Sequence, residues 1–193
     1  MPRYELWLIR HGETEWSRAG KHTGRTDLPL TEVGVAQAAS LRSTLLGKTF
    51  DRVLSSPLLR ARQTCEHAGL PDRAELRDEL MEWDYGDYEG LTSAEIHSER
   101  PDWLLWRDGV SGGETPSDLE RRIDPLIAEL RDLPGDGIVF AHAHLLRAFA
   151  ARWAALPLAA GQRLPLATAT ICRLGWEHDY PVIQSWNLRP EKA

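Results

Sequence analysis

Cysteine is scarce in this chain of 193 residues: Cys65 and Cys172 are its only two. Their spacing fits neither a redox pair nor a zinc site, so the sequence predicts two reduced thiols in a cytoplasmic protein. Long apolar runs are lacking, and none would cross a bilayer. The chain opens Met1-Pro2-Arg3-Tyr4 and passes straight into an apolar segment, which leaves no room for a signal peptide. A surplus of basic charge is also missing, since 23 Lys and Arg stand against 29 Asp and Glu, a net charge of −6. That balance argues against nucleic acid as a partner. It also means that an anion site has to be a local cluster of cations, because the overall field repels anions. Repeats, low-complexity tracts and linker-like breaks are absent, so one domain over residues 1–193 is expected. A homo-oligomer is left open.

What is present is an alternation of strands and helices. Leu6-Trp7-Leu8-Ile9 reads as a buried strand, and a polar loop follows from Glu13 to Leu30. Thr31 fits an N-cap, and Ala38, Leu41 and Leu45 recur at helical spacing before Gly47. Arg52–Ser56 reads as a short strand, and Pro57 as the start of a helix running towards Gly69. The acidic and aromatic stretch from Glu82 to Gly90 reads as loop, and Thr92–Arg100 as a short helix. Thr115-Pro116-Ser117-Asp118 begins a helix that Pro125 should kink. Ile138-Val139-Phe140-Ala141 is a second buried strand, followed by a helix with Leu146, Phe149, Trp153 and Leu156 inward. Two late strands are expected at Ala169–Leu174 and Val182–Trp186. The fold class is therefore α/β, three layers, with a mostly parallel central sheet and helices on both faces.

Both clear strands end in histidine, the first on Arg10-His11-Gly12 and the second on His142-Ala143-His144. Parallel strands share one carboxyl edge, where ligands of open α/β sheets bind, so His11 and His142 are expected to meet there. A neutral imidazole can act as a nucleophile, an arginine fork suits phosphate oxygens, and glycine lets backbone approach closely. Each residue also has a structural alternative: His11 and His142 as core histidines, Arg60 as an exposed residue beside Arg62, and Glu82 as one acid among Asp84, Asp87 and Glu89. His142 and His144 form a His-x-His pair, but no third metal ligand follows at a recognisable spacing, so no metal and no cofactor are assigned and His144 is expected to line the pocket or cap the helix. His22, His67, His97 and His178 read as surface residues. Trp16, Trp83, Trp103 and Trp106 lie in segments that border the expected pocket.

Several stretches, in this order, resemble the histidine phosphatase superfamily, the phosphoglycerate mutase-like group. They are Leu8-Ile9-Arg10-His11-Gly12-Glu13-Thr14-Glu15-Trp16, Thr23-Gly24 with Asp27-Leu28-Pro29-Leu30-Thr31, Ser55 to Thr64, Glu82 to Gly90, and Phe140-Ala141-His142 through Arg147. The resemblance implies that His11 takes the phosphoryl group, that Arg10, Arg60 and His142 hold its oxygens, and that Glu82 protonates the leaving oxygen and then activates water. It places Thr23 and Gly24 along the phosphate site.

Departures point to a branch. Ser17 stands where the mutases usually have asparagine, Ala143 where the family usually has glycine, and Trp83 where mutases have arginine. The longer middle insertion and shielding tail of the mutases have no counterpart, so the resemblance implies a phosphatase acting on a small phosphate ester. A mutase or a non-catalytic phospho-ligand binding module are the alternatives. Further details, among them Tyr85-Gly86-Asp87-Tyr88-Glu89-Gly90 and Trp106-Arg107-Asp108-Gly109, are similar to fungal sedoheptulose-bisphosphatases, which implies a sugar phosphate or bisphosphate. Ser17 and Ala143 are candidates for the phosphate site. Trp16, Trp83, Arg107, His144 and the Gly112–Thr115 stretch are candidates for the remaining pocket.

Overall fold

A computed structural model describes residues 4–70 and 74–190; the opening Met1-Pro2-Arg3 lies outside the described residues. In chain order the elements are β1 (Leu6–Arg10), α1 (Glu15–Arg18), α2 (Glu32–Leu45), β2 (Arg52–Ser55), α3 (Leu59–His67), β3 (Ala74–Leu76), α4 (Ser93–Glu99), α5 (Leu105–Asp108), α6 (Pro116–Leu130), β4 (Gly137–Ala141), α7 (Ala143–Trp153), β5 (Ile171–Glu177) and β6 (Tyr180–Leu188). The six strands lie in the order β3-β2-β4-β1-β5-β6. The first four in space are parallel, and β5 and β6 are antiparallel additions.

Alternation along the strands makes the layers. Leu6 and Leu8 of β1 enter one core with Val139 and Ala141 of β4 and the inner faces of α6 and α7. Trp7 and Ile9 point the other way, with Ile138 and Phe140, onto Leu41 and Leu45 of α2 and Cys65 of α3. Both faces are thus covered by helices. Cys65 and Cys172 are free and buried, and burial pushes both thiols up to about 12. No helix among the described residues is long and apolar enough to cross a membrane.

Several local expectations are corrected. The helix after β2 starts at Leu59, not Pro57; its N-cap Leu58 offers no side chain, and the Asp27 carboxylate accepts the Leu59 N–H at 2.6 Å instead. α6, as expected, runs on past Pro125 and ends at Leu130. Pro125 and Arg121, whose carbonyl the proline leaves without its helical donor, are both exposed, so water can satisfy that carbonyl. Leu156 lies beyond α7 and is exposed.

Gly12 is required by the backbone packed against it. A Cβ there would meet the Gly34 carbonyl oxygen at 2.4 Å, and one on Gly34 would meet the Glu13 carbonyl at 2.1 Å. The two glycines let the end of β1 lie directly on the first turn of α2.

Candidate active site

Register brings the two histidines together. Arg10 of β1 pairs with Ala141 of β4, and the His11 N–H donates to the Ala141 carbonyl at 2.9 Å. The next residues, His11 and His142, therefore leave neighbouring strands side by side, with ring centroids 5.2 Å apart. The Ser55–Thr64 segment arrives at the same edge from β2, which pairs with the other side of β4.

One face of α3 ties the loops to this edge. Thr64 accepts the Gly12 N–H at 3.0 Å and Gln63 accepts the Leu30 N–H at 2.9 Å. Arg60 is fully buried. Its Nε donates to His142 Nδ1 at 3.1 Å, Nη1 to the Thr26 carbonyl at 2.9 Å, and Nη2 to the carbonyls of Thr23 and Gly24 at 3.0 and 2.9 Å. Four of its five N–H groups are thus committed to protein. Arg62 is exposed, as expected of the solvent-facing twin.

A cavity of about 250 Å³ opens at this edge. Of the residues singled out from sequence, Arg10, His11, Ser17, Thr23, Glu82, Ala143 and His144 line it. Ser17 turns its hydroxyl inward to the capping box of α1, donating to the Thr14 carbonyl and accepting the Thr14 N–H. Ala143 is the first residue of α7 and takes no positive φ, so the position does not demand glycine. Arg10 donates from Nη1 to the Leu166 carbonyl at 2.5 Å, while its buried Nε has no partner among the described residues.

The other candidates lie off the wall. Gly24 donates its N–H to the Glu89 carboxylate, and its carbonyl is used by Arg60. Trp83 is fully buried, with Nε1 on the Glu114 carbonyl, and it is core. Trp16 packs its ring at Gly90. Arg107 pairs with Asp108, and its side chain is 62% exposed. Glu114 pairs with Arg122 and Thr115 caps α6, so that stretch braces the Glu82 loop from behind. His142 and His144 diverge, the first to Arg60 and Ser56 and the second to Tyr85, and the His-x-His pair does not converge.

Seven further residues line the cavity without having been singled out from the sequence: Gly20, Ser93 and Leu166, and, with more chemistry to offer, Lys21, His22, Tyr85 and Arg147. His22 is buried, not at the surface, because its ring packs edge-on to Tyr85 at 4.8 Å and to Trp103 at 5.8 Å. Tyr85 sits in the quoted Glu82–Gly90 motif, and Arg147 falls one turn after Ala143 on α7. Their positions were visible, but the direction of their side chains was not.

The protonation of the site follows from these contacts. His11 Nδ1 is 2.7 Å from the Gly12 carbonyl, an acceptor only, so Nδ1 carries the proton and Nε2 keeps its lone pair. Burial first, then the charges of Arg60 and Arg10, hold this imidazole well below the usual histidine range. His142 accepts from Arg60 at Nδ1, which puts its proton on Nε2, facing the Ser56 hydroxyl at 2.7 Å; burial and Arg60 hold it low as well. The Glu82 carboxylate is buried at the N-terminus of α7. Its Oε1 accepts the Trp83 and Leu145 N–H groups at 2.9 and 2.8 Å, and its Oε2 the His144 N–H at 3.1 Å. The neighbouring acids do not crowd it, for Asp84 faces Arg25 and Glu89 faces the Gly24 and Thr26 N–H groups.

Three neutral histidines, two buried and one half-buried, have a consequence for stability. Burial, with Arg147 the next cause, lowers His144 too. In the unfolded chain each imidazole takes up a proton near 6.5, while His11, His142 and His144 refuse it in the fold until well below that. Stability is therefore complete above this pH and falls as pH drops beneath it, by up to about 1.4 kcal/mol per pH unit for each histidine. Urea denaturation at pH 7.0 and 5.5, above the range where most carboxylates titrate, should show a clear loss. A denaturation midpoint that stays flat over that window contradicts the assignment of three neutral imidazoles.

Comparison with known proteins agrees with the arrangement. The family model described as "Histidine phosphatase superfamily (branch 1)" matches residues 6–189. The chain is similar to an acid phosphatase of Mycobacterium tuberculosis, 42% identical over 180 residues, covering 91% of this chain and 88% of the relative. It is also similar to the sedoheptulose 1,7-bisphosphatase of Saccharomyces cerevisiae, 38% identical over 179 residues, covering 76% of this chain and 66% of that enzyme. The solved structure of the product of open reading frame Rv3214 from Mycobacterium tuberculosis superposes with a TM-score of 0.92 at 38% identity, covering 97% of this chain and 99% of the other. With the sheet, the paired strand-end histidines and nearly the whole length accounted for, this chain belongs to the histidine phosphatase superfamily, branch 1.

Proposed function

We propose that the protein is a phosphomonoesterase that hydrolyses a small phosphorylated metabolite, a sugar phosphate or bisphosphate, through a phosphohistidine on His11 and without a metal ion. The observation that carries this reading is the fixed tautomer of His11. With Nδ1–H bound to the Gly12 carbonyl, Nε2 is a lone pair on a residue of the cavity wall. Names of relatives support phosphoester chemistry and a sugar phosphate. A cavity of about 250 Å³ suits a small ester and not a macromolecule. Among the described residues no three His, Cys, Asp or Glu side chains converge as a metal site would need.

In the first step His11 Nε2 bonds to phosphorus while the ester P–O bond breaks, and Glu82 passes a proton to the leaving oxygen. Oε2, which accepts one backbone N–H against two at Oε1, is the oxygen that carries that proton. In the second step Glu82 takes a proton from water, the water oxygen bonds to phosphorus, the P–N bond breaks, and phosphate leaves with Glu82 protonated again. Charge on the transferring group is spread over its equatorial oxygens, so fixed cations do most of the remaining work. Arg10, Arg147 and Lys21 stand on the cavity wall. Arg60 contributes its charge from beneath, through His142.

The test compares esters of poor and good leaving groups, with EDTA present throughout. The wild type should release phosphate from both an alkyl phosphate and p-nitrophenyl phosphate. Glu82→Gln should slow the alkyl ester by about 10²–10³-fold and the nitrophenyl ester much less, because nitrophenolate leaves without a proton. Loss of wild-type activity in EDTA would remove the metal-free step, and equal losses on the two esters would remove Glu82 as the acid.

A further inference from the structure

Two histidines that the phosphoryl steps do not use share the cavity with His11. His22 and His144 both line it, their rings within 5° of parallel and their centroids 6.2 Å apart. Each ring is pinned through Nδ1, and the two pins have opposite senses. His22 Nδ1 lies 2.9 Å from the Leu91 carbonyl, which can only accept, so Nδ1 carries a proton and in the neutral ring Nε2 is an acceptor. His144 Nδ1 lies 2.6 Å from the Tyr85 hydroxyl. That phenol is buried and neutral, and this nitrogen is its hydroxyl's hydrogen-bond partner among the described residues, so its one proton goes to His144. The His144 proton is then on Nε2, a donor. Burial keeps this ring unprotonated, so Nδ1 stays free to accept from Tyr85.

The ring planes are set by packing. Trp106 stands edge-on to His144 at 5.6 Å, Trp103 to His22 at 5.8 Å, and Tyr85 touches both histidines. The cavity wall thus presents one hydrogen-bond donor and one acceptor on neighbouring rigid rings. A carboxylate or a fully ionised phosphate has no proton for the acceptor, and an ammonium has no lone pair for the donor. A hydroxyl group uses both, accepting from His144 Nε2–H and donating to His22 Nε2.

We propose that His22 and His144 form a subsite that reads a hydroxyl on the alcohol portion of the substrate, so that the enzyme selects phosphates of polyols over phosphates of plain alcohols. The proposal rests on the phosphatase reading of this cavity and adds which groups choose the ester. A site built around a hydroxyl discriminates against the analogue lacking it, because its buried polar atoms are then left unpaired.

The test measures kcat/KM for glycerol 1-phosphate and for propyl phosphate, which has the same carbon chain without hydroxyls. The wild type should prefer the glycerol ester by about 10- to 100-fold. His22→Phe should bring that ratio close to parity, and His22→Gln, whose amide oxygen is again an acceptor, should recover most of it. A wild-type ratio near one overturns the proposal whether or not the variants fold. A ratio that His22→Phe leaves unchanged, with both rates falling together, also overturns it and makes His22 a packing residue. Turnover of p-nitrophenyl phosphate by the same wild-type preparation separates the two levels. Its presence without a preference for glycerol sinks the hydroxyl subsite alone, and its absence sinks the phosphatase reading with it.

Discussion

Alanine at position 11 is expected to lower phosphate release by about 10⁵-fold or more, as removing a covalent nucleophile does when nothing replaces it. The neighbouring imidazole cannot take over. His142 already accepts from Arg60 at Nδ1 and faces Ser56 with Nε2–H, so neither nitrogen offers a lone pair to phosphorus. His144 is committed to Tyr85. The loss should therefore appear in kcat for good and poor leaving groups alike, unlike the selective loss expected of Glu82→Gln. Rapid quenching of the wild type with a phosphate-labelled ester should place the label on His11, and the variant should carry none. Label on any other side chain, or rates in His11→Ala within tenfold of the wild type, would sink the covalent route.

The strand-end histidines were legible in the sequence because their placement depends on two things that sequence carries well. The apolar runs Leu6–Ile9 and Ile138–Ala141 mark buried parallel strands, and parallel strands must share a carboxyl edge. The register Arg10 opposite Ala141 then follows from packing, and the rest of the edge assembles around it. Helix caps were legible for the same local reason: Thr31 and Thr115 accept N–H groups three residues on. What sequence did not reveal depends on direction across long separations. β3 is three residues long at a sheet edge, too short for periodicity to show. Nothing in its own segment marks His22 as buried, yet Tyr85 and Trp103, more than 60 residues away, bury it. Gly24 and Arg107 belong to segments that border the site, but Glu89 and Asp108 take their polar groups. The capping of α7 by Glu82 and of α3 by Asp27 likewise joins partners that no local rule connects.

Arg60 is where stability and chemistry are joined, and its replacement is expected to disturb both. In Arg60→Met the carbonyls of Thr23, Gly24 and Thr26 and the Nδ1 of His142 lose their donor inside the protein. Unpaired buried polar groups cost about 1–3 kcal/mol each before relaxation, so a net loss of about 3–5 kcal/mol in chemical denaturation is expected. The Arg60 charge is also the largest cause after burial of the low pKa of His11 and of His142. A nearby cation disfavours the imidazolium; without it His11 takes up a proton at higher pH, and the protonated ring has no lone pair for phosphorus. The acid limb of kcat/KM should consequently move to higher pH in Arg60→Met, on top of a lower plateau. Arg60→Lys separates the two effects, since an ammonium keeps the charge but cannot span four acceptors with a planar fork. It should lose stability while holding the acid limb near its wild-type position. An acid limb that stays put in Arg60→Met would mean that burial alone keeps His11 neutral and that Arg60 acts only as the clasp between α3, the Thr23–Thr26 loop and His142.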